Sequence, residues 1–147
     1  MPKPIYVLNG PNLNLLGSRE PEIYGTFRLQ DINDSLKVYA TSHHKEIVFQ
    51  QSNFEGQLID WVHEAGTDAE GLIINPGAYS HTSIALLDAI LSIDVPCVEV
   101  HLTNIFQREE FRQHSYISMA ARGVICGFGA KGYELAFDAL QNIIKTS

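Results

Sequence analysis

The sequence predicts an α/β fold in which a parallel sheet of five strands lies between two layers of helices. Three observations predict it. Short apolar runs recur along the chain, segments with apolar residues at helical spacing separate them, and glycine or proline stands where most runs end. Strands that alternate with helices in this way pair in parallel, because each helix returns the chain over the sheet by a right-handed crossover.

The individual elements follow from the positions of these runs. Short apolar blocks predict strands at 5–9, 46–52, 71–74, 95–102 and 123–126. Apolar residues three or four apart predict helices at about 29–41, 58–66, 84–91 and 133–144, with a short, irregular helical connection at 104–114. Residues 12–27 show no sustained period and contain Gly17, Pro21 and Gly25, so we expect a long loop and interpret it as a functional lid.

Polar residues are concentrated where the third strand ends. Pro76 and Gly77 stop that strand, and Thr82 or Ser83 can cap the helix that follows. Between the end of the strand and the start of the helix lie an amide, a phenol, hydroxyls and an imidazole. These are more hydrogen-bonding groups than a turn needs. They predict a polar ligand at the carboxyl end of the strand, where open α/β sheets bind their ligands.

Five strands of this kind fit the order 2-1-3-4-5 of the flavodoxin-like three-layer sandwich, whose crevice lies between the first and third strands. Polar residues that follow strands one, three and four are therefore expected to converge on one crevice: Asn9, Asn12, Asn75, Tyr79, His81, Glu99, His101 and Thr103. A length of 147 residues with 45% hydrophobic content predicts one domain over 1–147.

Composition narrows the class of protein. A net charge of −7 argues against a nucleic-acid partner, although local cations can still bind a small anion. No run approaches membrane-spanning length, and the first residues lack an apolar signal core, so we expect a cytoplasmic protein. Cys97 and Cys126 lie in apolar runs and are predicted to be buried free thiols, with a disulfide between them as the alternative.

Residues 127–132 match the dinucleotide-binding pattern G-x-G-x-x-G, but we reject that interpretation. The fingerprint belongs to the first βαβ unit and needs an acidic residue about 20 positions later on a second strand. Too few residues follow Gly132 for that strand to form. A tight turn with close packing of helix on sheet is the better interpretation.

Glu99 and His101 stand two apart on the fourth strand and therefore point to the same face. Glu99 can orient His101 for general acid catalysis. The same residues with His81 could instead form a His-Glu-His metal site, or the histidine could be hydrogen-bonded in a core without chemistry. The residues alone leave these alternatives open.

Charged residues outside the fourth strand also have possible functional roles, although the sequence supports these roles less strongly. Arg19 could favour the phenolate form of Tyr24 on the lid, because a neighbouring cation lowers the pKa of a phenol. For the loop taken alone, an exposed arginine and an aromatic side chain that anchors the loop is the favoured interpretation. Arg108 and Arg112 are neighbours on a helical turn, where a solvated, salt-bridged face is the alternative to binding a ligand. Asp88 lies inside an apolar run and calls for a partner, which a neighbouring subunit could supply.

Several long motifs, in this order and spacing, resemble the type II 3-dehydroquinases (3-dehydroquinate dehydratases). They extend over essentially the whole chain: 8–14 with Gly17, Arg19, Tyr24 and Gly25; 75–79; 81–83; 99–101; 108–112; and 127–129. The resemblance implies loss of water from 3-dehydroquinate to give 3-dehydroshikimate through an enolate, in the shikimate pathway of aromatic amino acid biosynthesis or in quinate breakdown. It implies no metal, Schiff base or other cofactor.

The resemblance also implies roles for particular residues. Tyr24 would be the base, with Arg19 lowering its pKa and helping to close the lid. Asn12 would stabilise the enolate through an ordered water, and His101, oriented by Glu99, would protonate the departing hydroxyl.

Further residues would bind the substrate: Asn75, His81, Asp88, Leu102, Thr103 and Arg112. Arg108 would support the lid, and Asp88 would reach into a neighbouring site of a homododecamer built from trimers. Leu87 and Phe106 depart from the family pattern, at positions without a named chemical role.

Two rival functions come from other classes. A flavodoxin-like module that binds a nucleotide or flavin without catalysis would leave Arg19, Glu99 and His101 without a task. A metal-dependent hydrolase would use the possible metal site described above, and a chelator would abolish its activity.

Overall fold

The computed structural model describes residues 2–18, 20–24 and 26–146, and of Tyr24 it describes the backbone alone. Five strands are present in this part of the chain: β1 (Ile5–Asn9), β2 (Ile47–Gln51), β3 (Gly71–Asn75), β4 (Cys97–His101) and β5 (Gly123–Cys126). The α-helices are α1 (Pro21–Tyr24), α2 (Leu29–Ser42), α3 (Glu55–Asp68), α4 (Ile84–Leu91) and α5 (Lys131–Thr146). Short 3₁₀ helices lie at Leu13–Leu15, Gly77–His81, Ile105–Gln107, Glu110–Arg112 and Ile117–Met119.

All strand pairs are parallel, and the order in the sheet is β2-β1-β3-β4-β5. The predicted α/β fold, its strand order and its helices on both faces are confirmed. Asn9 lies beside Asn75 in the register, and Ile74 lies beside Glu99. The carboxyl ends of β1, β3 and β4 therefore form one edge, where the polar residues of three loops meet.

Each face of the sheet has its own hydrophobic core. Helices α2 and α5 cover one face, where Leu36 and Phe137 pack with Val7 and Ile73 of the strands. Helices α3 and α4 cover the other face, which has its own set of buried residues, among them Leu8, Leu58, Ile74 and Leu86. Strands β1, β3 and β4 are buried at every position, which explains why they read as unbroken apolar runs.

Several boundaries differ from the predicted ones. Strand β4 begins at Cys97 rather than at residue 95, because Pro96 has no N–H for the ladder and contributes only its carbonyl, to the amide of Leu72. The predicted lid loop contains a turn of 3₁₀ helix and the four-residue α1, which are too short to produce a period in the sequence. Strand β5 is an edge strand, so Cys126 is half-buried; the prediction of a buried thiol is correct for Cys97 only, and both cysteines are free.

The glycine-rich segment 127–132 forms a tight turn, as we predicted. Gly127 and Gly129 have φ values of 95° and 58°, in the left-handed region that favours glycine. A Cβ added to Gly132 would lie 3.0 Å from Cγ2 of Val100, so α5 begins directly against the sheet. Within the described ranges, none of the helices combines the length and the apolar character that a membrane span requires.

Candidate active site

A cleft of about 660 Å³, including its open mouth, lies at the carboxyl edge of β1, β3 and β4. Eight residues that the sequence predicted to be in the site line this cleft: Asn12, Asn75, His81, His101, Leu102, Thr103, Arg108 and Arg112. They come from four separate segments, which the fold brings together.

Other predicted residues lie elsewhere. Asn9 lies beneath the cleft at 0% exposure, and the hydroxyl of Tyr79 donates to the carbonyl of Asn53, so the expectation that both line the crevice is wrong. Asp88 is exposed on α4 and does not line the cleft within this chain. Arg19 and the side chain of Tyr24 lie outside the described residues, so their roles stay predictions.

A buried carboxylate stands behind the ring of His101. Glu99 is fully buried, and Nε2 of His101 donates to its Oε2. The hydroxyls of Ser115 and Ser118 also donate to this carboxylate, each over 2.6 Å. Because Nε2 of His101 is occupied by Glu99, Nδ1 is the ring nitrogen that remains for a ligand in the cleft.

The charge of Glu99 is held by these donors. Burial alone would raise the pKa of Glu99, but the hydrogen bonds from His101, Ser115 and Ser118 bring it below its ordinary value. We therefore describe Glu99 as ionised. The bond to this carboxylate fixes the orientation of the His101 ring at the cleft, as a general acid requires.

His81 is held in a different way. Its Nδ1 donates to the carbonyl of His114 over 2.7 Å, and Nε2 of His114 donates back to the carbonyl of His81 over 3.0 Å. Burial, with nearby His101 and Arg112, lowers the pKa of His81 despite the bond to that carbonyl. A neutral ring with a proton on Nδ1 offers Nε2 as an acceptor for a ligand hydroxyl.

The amide of Asn75 is fixed by its buried neighbours. Its Nδ2 donates to the hydroxyl of Tyr133 over 3.0 Å, and that hydroxyl donates to Oδ1 of Asn9 over 2.6 Å. Oδ1 of Asn75 accepts from the backbone N–H of Gly77 over 3.2 Å. Asn75 keeps one N–H and one lone pair for the cleft, in a fixed orientation.

The two arginines of the cleft wall flank an acidic residue. Nε of Arg112 donates to Glu109 over 3.0 Å, and the guanidinium lies 4.9 Å from the centre of the Phe111 ring. Arg108 is the more buried of the pair and lies 3.9 Å from the other oxygen of Glu109. The salt-bridged face that we considered as an alternative is thus present, and both guanidinium groups also line the cleft.

The described residues contain no group of three side chains that could hold a metal ion. Both oxygens of Glu99 accept from protein donors, and Nδ1 of His81 donates to a carbonyl. Glu99 and His101 are therefore hydrogen-bonded to each other, and His81 is bound separately to the carbonyl of His114.

A family model described as Dehydroquinase class II matches residues 3–141 of this chain. The chain belongs to the class II dehydroquinase family. The 3-dehydroquinate dehydratase of Caulobacter vibrioides is 56% identical over 145 residues, which cover 99% of each chain. The 3-dehydroquinate dehydratase of Rhizobium meliloti is 57% identical over 147 residues, covering 100% of this chain and 99% of that one.

Solved structures agree with this assignment. The type II dehydroquinase from Propionibacterium acnes superposes with a TM-score of 0.91 at 44% identity, covering 99% of this chain and 98% of that one. The type II dehydroquinase from Butyrivibrio crossotus gives a TM-score of 0.93 at 42% identity, and the match covers 95% of this chain and 98% of that one. The resemblance to the type II 3-dehydroquinases, the fold class and the predicted class of enzyme are confirmed.

In this class II dehydroquinase, Asn12 sits at a strained position beside the cleft. Its φ of 69° lies in the left-handed region, which asparagine tolerates better than most residues. Its backbone N–H donates to Oδ1 of Asn53 over 3.0 Å, and this contact fixes the loop after β1. The conformation turns the chain from β1 into the wall of the cleft.

Sequence reasoning missed five residues that support this dehydroquinase site: Asn53, Ser115, Ser118, His114 and Tyr133. None of them directly follows a strand that we had linked to the crevice, and 113–120 has no apolar period. The only available signal was at Tyr133, a phenol directly after a glycine-rich turn that ends at the same edge of the sheet.

Proposed function

We propose that the chain dehydrates 3-dehydroquinate to 3-dehydroshikimate through an enolate intermediate. The observation that carries the proposal is His101, held by a buried, ionised Glu99 at the wall of a cleft that also contains Arg108 and Arg112. A positioned proton donor and cationic groups suit a polyhydroxylated acid that must lose water. Relatives that share more than half of the sequence are named for this reaction.

The first step is removal of a proton. Tyr24, as phenolate, takes the proton from the carbon beside the ketone, and the electron pair moves onto the ketone oxygen to give the enolate. Arg19 favours the phenolate because a neighbouring cation lowers the pKa of a phenol. Asn12 stabilises the enolate through a water, since hydrogen bonds aimed at developing charge lower the barrier.

The second step expels water. The enolate re-forms the ketone, the new carbon–carbon double bond forms, and the bond to the departing hydroxyl breaks. His101 gives its proton to that hydroxyl, so water leaves and the ring becomes neutral. Transfer of the proton held by Tyr24 back to His101 through solvent restores the starting state.

The remaining cleft residues bind the substrate. The backbone N–H groups of Leu102 and Thr103, together with Asn75, hold the carboxylate and neighbouring oxygens. The neutral ring of His81 accepts from a ring hydroxyl and Arg112 donates to one, while Arg108 supports the lid.

We infer that the enzyme assembles as a homododecamer built from trimers, in which Asp88 reaches the site of a neighbouring chain. The support is a stripe on α4, where Ile84 and Leu91 are 56% and 60% exposed on either side of Asp88. These residues are spaced so that they share one face of the helix. We further propose a place in the cytoplasm, in aromatic biosynthesis or in quinate breakdown, which use the same chemistry.

The test is to mix the pure protein with 3-dehydroquinate and follow the ultraviolet absorbance of the conjugated enone. We expect turnover by the wild-type protein, unchanged in EDTA, and a loss of about 10²–10⁴-fold in His101→Ala. No absorbance change in wild type would refute the proposal. Loss of turnover in EDTA would favour the metal-dependent hydrolase, and a yellow purified protein would favour the flavin-binding module.

A further inference from the structure

Two serine hydroxyls that the proposed reaction leaves unused converge on Glu99. Ser118 donates to Oε1 over 2.6 Å, and Ser115 donates over 2.6 Å to Oε2, the oxygen that also accepts from His101. Both oxygens of the carboxylate are therefore occupied. Because Glu99 has 0% exposure, it depends on these protein donors to remain charged.

The segment that carries the serines is anchored at several points. The backbone N–H of Tyr116 donates to the carbonyl of Ser80 over 2.8 Å, and Ile117 is fully buried in the core. The N–H of Arg122 donates to the carbonyl of Cys97, at the start of β4, over 2.7 Å. Ser118 lies within the 3₁₀ helix at Ile117–Met119 and Ser115 lies just before that helix, and both hydroxyls reach the one carboxylate.

We propose that Ser115 and Ser118 are positioning residues for the dehydration: they hold Glu99 as a carboxylate and, through it, fix the ring of His101 with Nε2–H on Glu99 and Nδ1 directed to the substrate. The inference rests on the proposed function. An ionised carboxylate can only accept, so each hydroxyl is bound to act as a donor, and such charge-assisted bonds are the strong ones.

The two serines bind different oxygens of the Glu99 carboxylate. Ser118 fixes the oxygen that His101 does not use and so sets the plane of the carboxylate. Ser115 shares Oε2 with His101 and tunes how much negative charge that oxygen presents to the ring. Among the described residues, Cys97 on the same strand interacts electrostatically with Glu99, and His81 interacts with His101.

The direction of the effect on titration follows from the charge states. When the Glu99–His101 pair loses its proton it carries a full negative charge, and the hydroxyls stabilise that state most. Removing one hydroxyl should therefore make the pair hold its proton to higher pH.

The first experiment follows the ring signals of His101 by NMR as a function of pH, without substrate. In Ser115→Ala and Ser118→Ala we expect the titration midpoint to rise by about 0.5–1 unit, and by more in the double variant. Ser115→Thr and Ser118→Thr keep a hydroxyl and should restore the wild-type midpoint. The matched control is Ser42→Ala, whose hydroxyl donates to the carbonyl of Tyr39 on α2. A midpoint in the alanine variants that matches wild type would overturn the inference.

The second experiment measures turnover of 3-dehydroquinate. Each alanine variant should lower kcat about tenfold with KM within about twofold, and the threonine variants should recover most of the loss. In a Glu99→Gln background, loss of either hydroxyl should have little further effect on the His101 midpoint or on kcat. A rise in KM alone, or full additivity with Glu99→Gln, would contradict a positioning role. If wild type does not turn over the substrate, the proposed function fails, whereas the titration still decides whether the serines act on His101.

Discussion

Two histidines line the same cleft, and the group behind each ring sets what it can do. His81 donates to a carbonyl and burial lowers its pKa, so the neutral ring presents Nε2 as an acceptor. His101 donates to the buried carboxylate of Glu99, which fixes the orientation of the ring. The first arrangement suits holding a hydroxyl in place, and the second suits giving a proton to a leaving group.

The stability of the protein should depend on Glu99 in a pH-dependent way. Its pKa is below the ordinary value in the folded state, so its contribution is present above the unfolded value of about 4.3 and is lost as pH falls through the lower folded value. We expect Glu99→Gln to lower the free energy of unfolding by about 3 kcal/mol at pH 7, because it breaks a buried pair.

Chemical denaturation at pH 7 and at pH 3.5 checks this, with Glu46→Gln, an exposed carboxylate, as the control. The difference in the free energy of unfolding between wild type and Glu99→Gln should be smaller at pH 3.5 than at pH 7. A difference that stays constant between the two pH values would show that Glu99 is not held ionised.

The sequence allowed Glu99 and His101 to be paired because residues two apart on a strand share a face. It could not find Ser115 and Ser118, which reach Glu99 only because a connection without any period is anchored across the end of the sheet. It misplaced Tyr79 because a phenol in a polar turn has several possible partners, and here its hydroxyl donates to the carbonyl of Asn53.

At the scale of elements, the cleft depends on how closely the ends of β1 and β3 approach. The N–H of Gly10 donates to the carbonyl of Asn75 over 2.8 Å, and Pro76 packs directly against Gly10. A Cβ on Gly10 would lie 2.3 Å from the carbonyl oxygen of Pro76, which is backbone and cannot rotate away. The two turns that carry Asn12 and Asn75 are therefore held in contact.

Gly10→Ala should destabilise the fold by about 2–4 kcal/mol, because the turn after β1 must separate from the turn after β3. Turnover should fall as well, since Asn12 and Asn75 would move apart. Thermal unfolding and the enone assay measure both. Gly56→Ala is the matched control: an added Cβ meets nothing within 4 Å there, and alanine in a helix should stabilise by up to about 1 kcal/mol. Wild-type stability in Gly10→Ala would contradict the close approach.

The sequence predicted which strands form, because β1, β3 and β4 are buried at every position and read as apolar runs. Element ends were harder to predict. Helix α5 begins at Lys131, before its first large apolar residue, and α1 has four residues, fewer than a period needs to become visible. The distance between Gly10 and Pro76 comes from register between strands that are far apart in sequence, so no local pattern encodes it.

At the scale of the whole molecule, the stripe on α4 is the surface that we expect to bury on assembly. Ile84→Asp should dissociate the proposed dodecamer of 16.4 kDa chains into smaller species, because it places a charge in an apolar contact. Turnover should fall when the assembly dissociates, if Asp88 completes the active site of a neighbouring chain. Mass photometry and the enone assay on the same samples test both statements.

Val38→Asp is the control for that experiment, since Val38 is 72% exposed on α2, a helix on the opposite face of the sheet. It should leave mass and turnover unchanged. An Ile84→Asp protein with wild-type mass would refute the α4 interface, and one that dissociates but stays fully active would refute the role of Asp88 in a neighbouring site.

The central claim is that a phenol from the lid removes the proton in the cleft beside His101, and the turnover of Tyr24→Phe tests it most directly. We expect kcat to fall by about 10²–10⁴-fold while the affinity for 3-dehydroshikimate, measured by calorimetry, stays within a few-fold of wild type. Tyr39→Phe, which removes a phenol that donates to Asp138 on α5, should leave both unchanged. Turnover of Tyr24→Phe at the wild-type rate would contradict the account.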